Sequence, residues 1–288
     1  MADPRMTPKE APGPQRAGMP GRWVWFLYAG WFVLGYPVLR WLWIQWRTND
    51  FYSHGLLVFP LAVYLFWRLR PRTAPRGDDR GLVVLLVGTG MYVLALSRHA
   101  EYLAAMVWIL LGFVVLWSVW GWEAARTRWF PFLFALLAVP LPFVEKASLP
   151  LSQWAGSVAG HVVRWFGIPV TINGNQVSLP EANLVVGAQC SGLRSMVALF
   201  TLSVLFAFLV RGPWWGRLIL VLSALPIALV GNLARVASLL IVAYHWGADV
   251  GFRFYHDYSG YVFFLVAFLT LIGIARLVRC NDIRSDIF

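Results

Sequence analysis

The chain has 288 residues, of which 59% are hydrophobic and 13% are charged, and its formal net charge is +11. A soluble protein places about a quarter of its residues in the charged class, so this composition excludes an ordinary soluble domain as well as a disordered or collagen-like chain. Two cysteines are too few for a disulfide scaffold or a zinc cluster. We therefore expect an integral membrane protein.

The first segment, residues 1–22, is rich in proline and arginine and has few apolar residues to bury. This composition predicts a disordered cytoplasmic tail. A cleavable signal peptide is disfavoured, because the apolar run that follows is too long and no small-residue cleavage site ends it.

Eight apolar stretches follow, with lengths near the roughly 20 residues that a helix needs to cross a bilayer core about 30 Å thick. They predict an all-α integral membrane protein, a polytopic bundle of about eight transmembrane helices within residues 23–277, followed by a cytoplasmic tail at 278–288. The second and fifth stretches are short, so that either a tilted span or partial insertion fits them. The predicted spans are residues 23–44, 54–69, 81–97, 102–121, 129–144, 192–211, 215–244 and 257–277.

The long loop at residues 145–189 lies on the outer side in this arrangement. Its first half spaces apolar residues at helical intervals, which predicts an amphipathic helix at the outer face. Its second half alternates apolar residues around Asn173-Gly174-Asn175, a turn signal that predicts a small β-hairpin. The helical positions are Leu149, Leu151, Trp154, Val158, Val162 and Trp165.

Lysine and arginine fall mostly on one side of the predicted spans. With both termini placed inside, 16 of the 24 basic residues lie on the cytoplasmic side, as the positive-inside rule requires. The basic charge is therefore a topology signal, and nucleic-acid binding is disfavoured.

Several chemically capable side chains fall at one depth, the outer boundary. Cys190 lies just before the sixth span, His54 opens the second, and His256 and Asp257 lie at the start of the last. Arg235 lies about 30 Å along the seventh span from its inner end. His and Arg near span ends often only anchor at headgroups, but an arginine between apolar neighbours favours a polar cavity and hence a function.

Cys190 has the sequence context of a nucleophile. A thiolate at a helix N-terminus is stabilised by the free N–H groups, and Arg194 lies one turn further on the same face. The alternative is a small apolar thiol that only fills space. Cys280 falls on the inner side, a membrane thickness away, so the two cysteines cannot form a disulfide.

At these positions the sequence resembles the exosortase/archaeosortase family of membrane-embedded cysteine transpeptidases. The most specific string is Cys-Ser-Gly-Leu-Arg-Ser at residues 190–195, followed by Asn232-Leu-Ala-Arg235-Val and by His256 ahead of the last span. Tyr-Ser-His-Gly at residues 52–55 and Pro-Leu-Pro at 140–142 also fit. The resemblance extends over about residues 23–277.

The resemblance implies an enzyme that cleaves a C-terminal sorting signal of the PEP-CTERM type on exported proteins. The new carboxyl end passes to a lipid or an envelope polymer, no cofactor or metal is needed, and many relatives belong to exopolysaccharide loci. The implied location is the bacterial inner membrane, with the active site on the periplasmic face. The implied catalytic residues are Cys190, Arg235 and His256, and the supporting or substrate-binding residues are Arg194, His54, Asn232, Ser191 and Asp257.

The roles of the supporting residues stay open at this point. His54 competes with His256 as the base, Asp257 is placed to orient the ring of His256, and Ser191 is an alternative nucleophile. Arg194 either supports the thiolate of Cys190 or binds an acidic group of the sorting signal.

Three other function classes deserve comparison. A membrane acyltransferase acting on a lipid would use the same Cys and His residues, and a transporter would use Arg235 to bind an anion. Transporters usually have internal repeats and a site at the midplane, and neither is evident here. A rhomboid-type protease lacks a Gly-x-Ser-x-Gly-like string, and the five histidines are too scattered for a metal site.

Overall fold

The computed structural model describes residues 23–69, 77–173, 176–180, 182–185, 187–247 and 256–285. The predicted N-terminal tail at 1–22 and the turn residues Gly174 and Asn175 lie outside these ranges, as do the side chains of His256 and Asp257. The described residues form ten α-helices, one 3₁₀ turn and five short strands.

The N-terminal helices are α1 (Trp23–Leu34), α2 (Tyr36–Thr48), α3 (Gly55–Arg68), α4 (Asp79–Ser97), α5 (Glu101–Thr127) and α6 (Trp129–Leu136). The later helices are α7 (Pro142–Trp165), α8 (Leu193–Leu209), α9 (Trp214–Trp246) and α10 (His256–Leu277). The strands are β1 (Thr171–Asn173), β2 (Gln176–Leu179), β3 (Ala182–Val185), β4 (Val210–Arg211) and β5 (Asp282–Ile283), and the 3₁₀ turn is Ala188–Ser191.

The all-α membrane architecture is confirmed, but the number of full-length spans is lower than predicted. Within the described ranges, four helices are long and apolar enough to cross a membrane, namely α4, α5, α9 and the Tyr258–Leu277 part of α10. Three further apolar helices are shorter: Val24–Leu34, Gly55–Arg68 and Leu193–Leu209. The predicted span at 129–144 is interrupted after Leu136, where Pro140 and Pro142 lack the N–H groups that a continuous helix would use.

The chain separates into two compact units. The first unit comprises residues 1–37 and 69–132, and in its described part α4 and α1 each pack against α5. Trp31 and Trp108 stack with their ring centroids 4.6 Å apart, and the indole N–H of each donates to the backbone carbonyl of the other at 3.0 Å. This reciprocal pair satisfies two polar groups inside an apolar contact and fixes α1 on α5.

The second unit comprises residues 38–68 and 133–288 and contains every residue that the sequence singles out for chemistry. Helices α8 and α10 both pack on α9, and α7 packs on α9 and on the 3₁₀ turn. Helix α9 has 33 residues and is therefore about 50 Å long. It provides the scaffold against which the other parts of the site are placed.

The predicted helix in the outer loop is confirmed as α7, which begins slightly earlier than expected. The face that packs on the protein consists of small residues, whereas the large apolar side chains Leu149, Trp154 and Trp165 are exposed. Small residues let two helix backbones approach closely, while large apolar side chains suit contact with lipid. The residues buried along α7 are Val144, Ser148, Ser152, Ala155, Gly156, Ala159, Gly160 and Val163.

The predicted hairpin is confirmed, since β1 and β2 are antiparallel and Asn173 pairs with Gln176 across a two-residue connection. A third strand, β3, pairs antiparallel with β2 and was not predicted. Val177 and Leu179 point from β2 into an apolar cluster with α7 and α9. The small sheet therefore covers the region that holds the 3₁₀ turn.

The residues after α10 are packed in part. Val278 and Cys280 are buried in a cluster with α8, α9 and α10, and β5 pairs antiparallel with β4. The first half of the segment predicted as a tail thus closes against the connection between α8 and α9.

Candidate active site

Cys190 lies in the 3₁₀ turn that precedes α8. Its side chain is 5% exposed and belongs to an apolar cluster drawn from three elements. Its immediate surroundings are therefore protein and not water. The cluster includes Ala159 and Val163 of α7, Val177 and Leu179 of β2, and Val236 and Leu240 of α9.

Gly192 joins the turn to α8 in a backbone conformation that favours glycine. Its φ is +76°, and a Cβ atom built on it would lie 2.6 Å from Cγ of Asn232. A side chain would therefore be strained in the backbone and would also displace Asn232. The side-chain amide of Asn232 donates through Nδ2 to the carbonyl oxygen of Cys190 at 2.8 Å, so that Gly192 allows α9 to fix the turn.

Arg235 lies one turn beyond Asn232 on α9, and its guanidinium lies close enough to Cys190 for its positive charge to lower the pKa of the thiol. Burial is the largest influence on this thiol and raises its pKa, while the positive charge of Arg235 acts in the opposite direction. The structure therefore brings together Cys190, Asn232 and Arg235, which are more than 40 residues apart at the extremes.

Arg194 and Ser191 have different surroundings from those expected. Arg194 is exposed, and the groups that act on the Cys190 pKa are Arg235 and a backbone group of Gly187, without Arg194. The hydroxyl oxygen of Ser191 accepts from the backbone N–H of Leu193 at 3.3 Å. The hydroxyl of Ser191 thus contacts the backbone at the first residue of α8.

Helix α10 begins at His256, whose side chain lies outside the described part of the chain together with that of Asp257. Its next turn lies close to Arg235, because a Cβ atom built on Gly260 would be 3.8 Å from Nη1 of the guanidinium. The guanidinium of Arg235 therefore lies within contact distance of the backbone of α10 at this position.

His54 lies immediately before α3, and its described contacts are with residues other than Cys190 and Arg235. Its Nε2 is 3.4 Å from the carbonyl oxygen of Leu137, its ring stacks on that of Tyr52, and burial lowers its pKa. The described contacts of His54 do not include Cys190 or Arg235. The hydroxyl of Tyr52 accepts from the backbone N–H of Leu141 at 3.0 Å, so the Tyr-Ser-His and Pro-Leu-Pro strings meet.

A small cavity of about 20 Å³ borders the arginine between α8, α9 and α10. Its polar lining is Ser195, Asn232 and Arg235, and the rest is apolar. Within the described ranges, no group of three His, Cys, Asp or Glu side chains is placed to hold a metal ion. The apolar lining consists of Leu199, Ala228, Gly231, Gly260, Phe263, Phe264 and Ala267.

Comparison with protein families matches residues 46–273 to the transmembrane exosortase family. The chain belongs to this family. The match covers most of the chain and includes Cys190, Asn232, Arg235 and His256. Neither a curated protein nor a solved structure matches it. Membership in the exosortase family supports a membrane transpeptidase with a role in protein sorting, and the resemblance found in the sequence is confirmed.

Two residues of this candidate site were not among the site residues predicted from the sequence. Gly192 lies inside the Cys-Ser-Gly-Leu-Arg-Ser string, but its left-handed backbone and its contact with Asn232 require the fold to be known. Gly260 carries no local signal, since its proximity to Arg235 depends on how α10 packs on α9.

Proposed function

We propose that this exosortase is a cysteine transpeptidase that cleaves a PEP-CTERM-like sorting signal of exported proteins and transfers the new carboxyl end to a lipid or an envelope polymer. The reaction takes place at the outer face of the bacterial inner membrane, and both termini are cytoplasmic. The observation that carries the proposal is the approach of the Arg235 guanidinium to the buried thiol of Cys190, where its positive charge opposes the effect of burial on the pKa of the thiol.

In the first step, Sγ of Cys190 attacks the carbonyl carbon of the scissile peptide bond. The thiol proton moves to His256, which then delivers it to the departing amine as the C–N bond breaks and a thioester forms. In the second step, a nucleophile of the acceptor attacks the thioester, loses its proton to His256, and releases the thiol. Because burial raises the pKa of Cys190, a base is needed to remove the proton during the attack.

Arg235 stabilises the negative charge that develops on the carbonyl oxygen. This charge is largest in the transition state, so the interaction lowers the barrier more than it strengthens binding of the substrate. Asn232 helps to position Cys190 for this step, because its hydrogen bond to the Cys190 carbonyl holds the 3₁₀ turn in place. Arg194, which is exposed, is available to bind an acidic group of the sorting signal.

The case for His256 as the base rests on register and on the family resemblance. Gly260 lies next to Arg235, and positions four residues apart share a face of an α-helix, so position 256 belongs to the face of α10 that carries Gly260. Asp257 is the proposed partner that orients the ring. His54 is the competing base, and its described hydrogen-bonding partners are backbone groups before α3 and after α6.

We expect His256→Ala to lower kcat by about 10² to 10⁴, the usual contribution of a general acid and base. His54→Ala should cost much less, through local packing with Tyr52. Both variants would be assayed by single-turnover cleavage of a tailed substrate in membranes, with enzyme amounts matched by immunoblot. A stable His54→Ala protein that is inactive, beside an active His256→Ala protein, would require the two roles to be exchanged.

The experiment that tests the proposed function is intact mass spectrometry of a co-expressed membrane protein carrying a Pro-Glu-Pro-type C-terminal tail. Loss of the tail only in the presence of the enzyme is expected, and extra mass on the new C-terminus would identify the acceptor. The same protein with the three motif residues replaced by alanine is the control and should stay uncut. An uncut tail with active-site thiol labelling by acyl donors would favour the acyltransferase alternative.

A further inference from the structure

Within the part of the chain that the structure describes, only one end of the Asn232 side-chain amide has a hydrogen-bond partner. It is 5% exposed, and Nδ2 donates to the carbonyl oxygen of Cys190. Because that carbonyl can only accept, the contact fixes which end of the amide is nitrogen. The other end, Oδ1, is buried and has no hydrogen-bond partner among the residues that the structure describes. Leaving a buried acceptor without a hydrogen bond costs about 1–3 kcal/mol of stability. A hydrogen-bond donor at Oδ1 would remove this cost.

The cavity beside Asn232 supplies the space for one. Its volume of about 20 Å³ exceeds the roughly 10–15 Å³ that one water molecule requires, and it is far too small for a peptide or a lipid chain. Three polar residues line it, namely Ser195, Asn232 and Arg235. A buried water usually makes two to four hydrogen bonds, and this lining can provide that number.

The charges at the cavity restrict its occupant further. Arg235 offers donors only, whereas Oδ1 of Asn232 accepts only. A cation would be repelled by the guanidinium, and an anion would face the amide oxygen. The group that suits both neighbours is neutral, accepts from Arg235 and donates to Asn232. Water is the smallest molecule with this chemistry.

We propose that one ordered water occupies this cavity, donates to Oδ1 of Asn232 and accepts from the guanidinium of Arg235. Asn232 is then a positioning residue that acts twice, through its own bond to the Cys190 backbone and through the water on Arg235. The arrangement links Asn232 to the thiol of Cys190, because Arg235 in turn lies close enough for its positive charge to act on that thiol. It holds the guanidinium in one orientation before the substrate binds.

The first test displaces the water without changing a polar residue. Gly260→Ala places a methyl group 3.8 Å from Nη1 of Arg235, an ordinary contact distance, in the lining of the cavity. Gly273→Ala is the matched control, since it lies on the same helix and its Cβ meets nothing within 4 Å. Alanine raises helix propensity at both positions, so both proteins should fold.

The readout is the rate at which iodoacetamide alkylates Cys190 across a pH series, in a Cys280→Ala background. For Gly260→Ala we expect the alkylation rate at neutral pH to fall about threefold to tenfold and the profile to move to higher pH, because a misaligned guanidinium stabilises the thiolate less. Gly273→Ala should leave the profile unchanged. An unchanged profile in folded Gly260→Ala protein would overturn the proposal.

The second test is direct and independent of any variant. An experimental map of the wild-type protein at about 2 Å resolution should show a solvent peak within hydrogen-bonding distance of Oδ1 of Asn232. An empty cavity, or a protein donor on Oδ1, would contradict the proposal. The positioning role rests on the proposed function, but neither readout needs a substrate. A failure to cleave any tail would therefore contradict the proposed peptidase function, but it would not contradict the proposed water site.

Discussion

We expect the Cys190→Ala enzyme to leave the sorting tail uncut, whereas the Cys280→Ala enzyme should still remove the tail. Both thiols are buried, at 5% and 2% exposure, and both have a pKa that burial raises and a neighbouring arginine opposes, Arg235 for one and Arg217 for the other. Cys280 is thus a second buried thiol near an arginine, and it serves as the control. The two differ in their partners, since the backbone carbonyl of Cys190 accepts from Asn232, which lines the cavity together with Arg235.

The loss should be complete within detection, because no thioester can form without the sulfur. The measurement is the intact mass of the tailed substrate after co-expression, together with a search for a hydroxylamine-sensitive enzyme–substrate adduct in the wild type. Cleavage by Cys190→Ala protein would contradict the thioester mechanism. Full activity of Cys190→Ser would turn attention to a hydroxyl nucleophile and to Ser191, although the hydroxyl of Ser191 is engaged with Leu193.

Arg235→Lys should fail nearly as badly as Arg235→Ala. Loss of one oxyanion donor costs about 10² to 10³ in kcat, and a single ammonium cannot bond to the thiol, the oxyanion and a water with the planar fork of a guanidinium. KM should change much less than kcat, because the interaction is strongest in the transition state. Single-turnover kinetics with a tailed substrate would separate the two constants.

The same variants make a prediction about pH. The pKa of Cys190 is raised by burial and held back by Arg235, so removing the guanidinium should move the alkylation profile of this thiol to higher pH. Arg276→Lys, an exposed position near the end of α10, is the control and should show neither effect. A lysine variant at 235 that retains most of the activity would exclude the oxyanion role.

Much of the architecture could be predicted because it depends on local patterns. Composition alone required a membrane protein, the apolar spacing predicted α7, and Asn173-Gly174-Asn175 predicted the hairpin that the structure confirms. The string from Cys190 to Ser195 pointed to the family that the comparison establishes. Each of these signals lies within a short stretch of chain, where backbone propensity and side-chain period act without distant partners.

The tertiary structure decided which groups meet. From spacing, Arg194 was the nearest cation on the face of Cys190, but the structure leaves Arg194 exposed and brings Arg235 from another helix to the thiol. Helical period defines the faces of a helix, whereas the choice of the buried face depends on the shape of the element packed against it. Gly192 and Gly260 gain their roles only through the close approach of α9.

The buried face of α7 and the number of full-length spans were also decided by the tertiary structure. The sequence identified the large apolar residues of α7, but its small residues form the packed face, because close helix contact favours small side chains while lipid accommodates large ones. Hydropathy measures how well a stretch suits lipid, and a break such as the one after Leu136 depends on backbone hydrogen bonds. The sequence by itself therefore determined that the protein lies in a membrane, where its local helices and hairpin form, and which reactive side chains it carries. Folding decided the partners of Cys190, because contacts between distant segments depend on how complete helices pack.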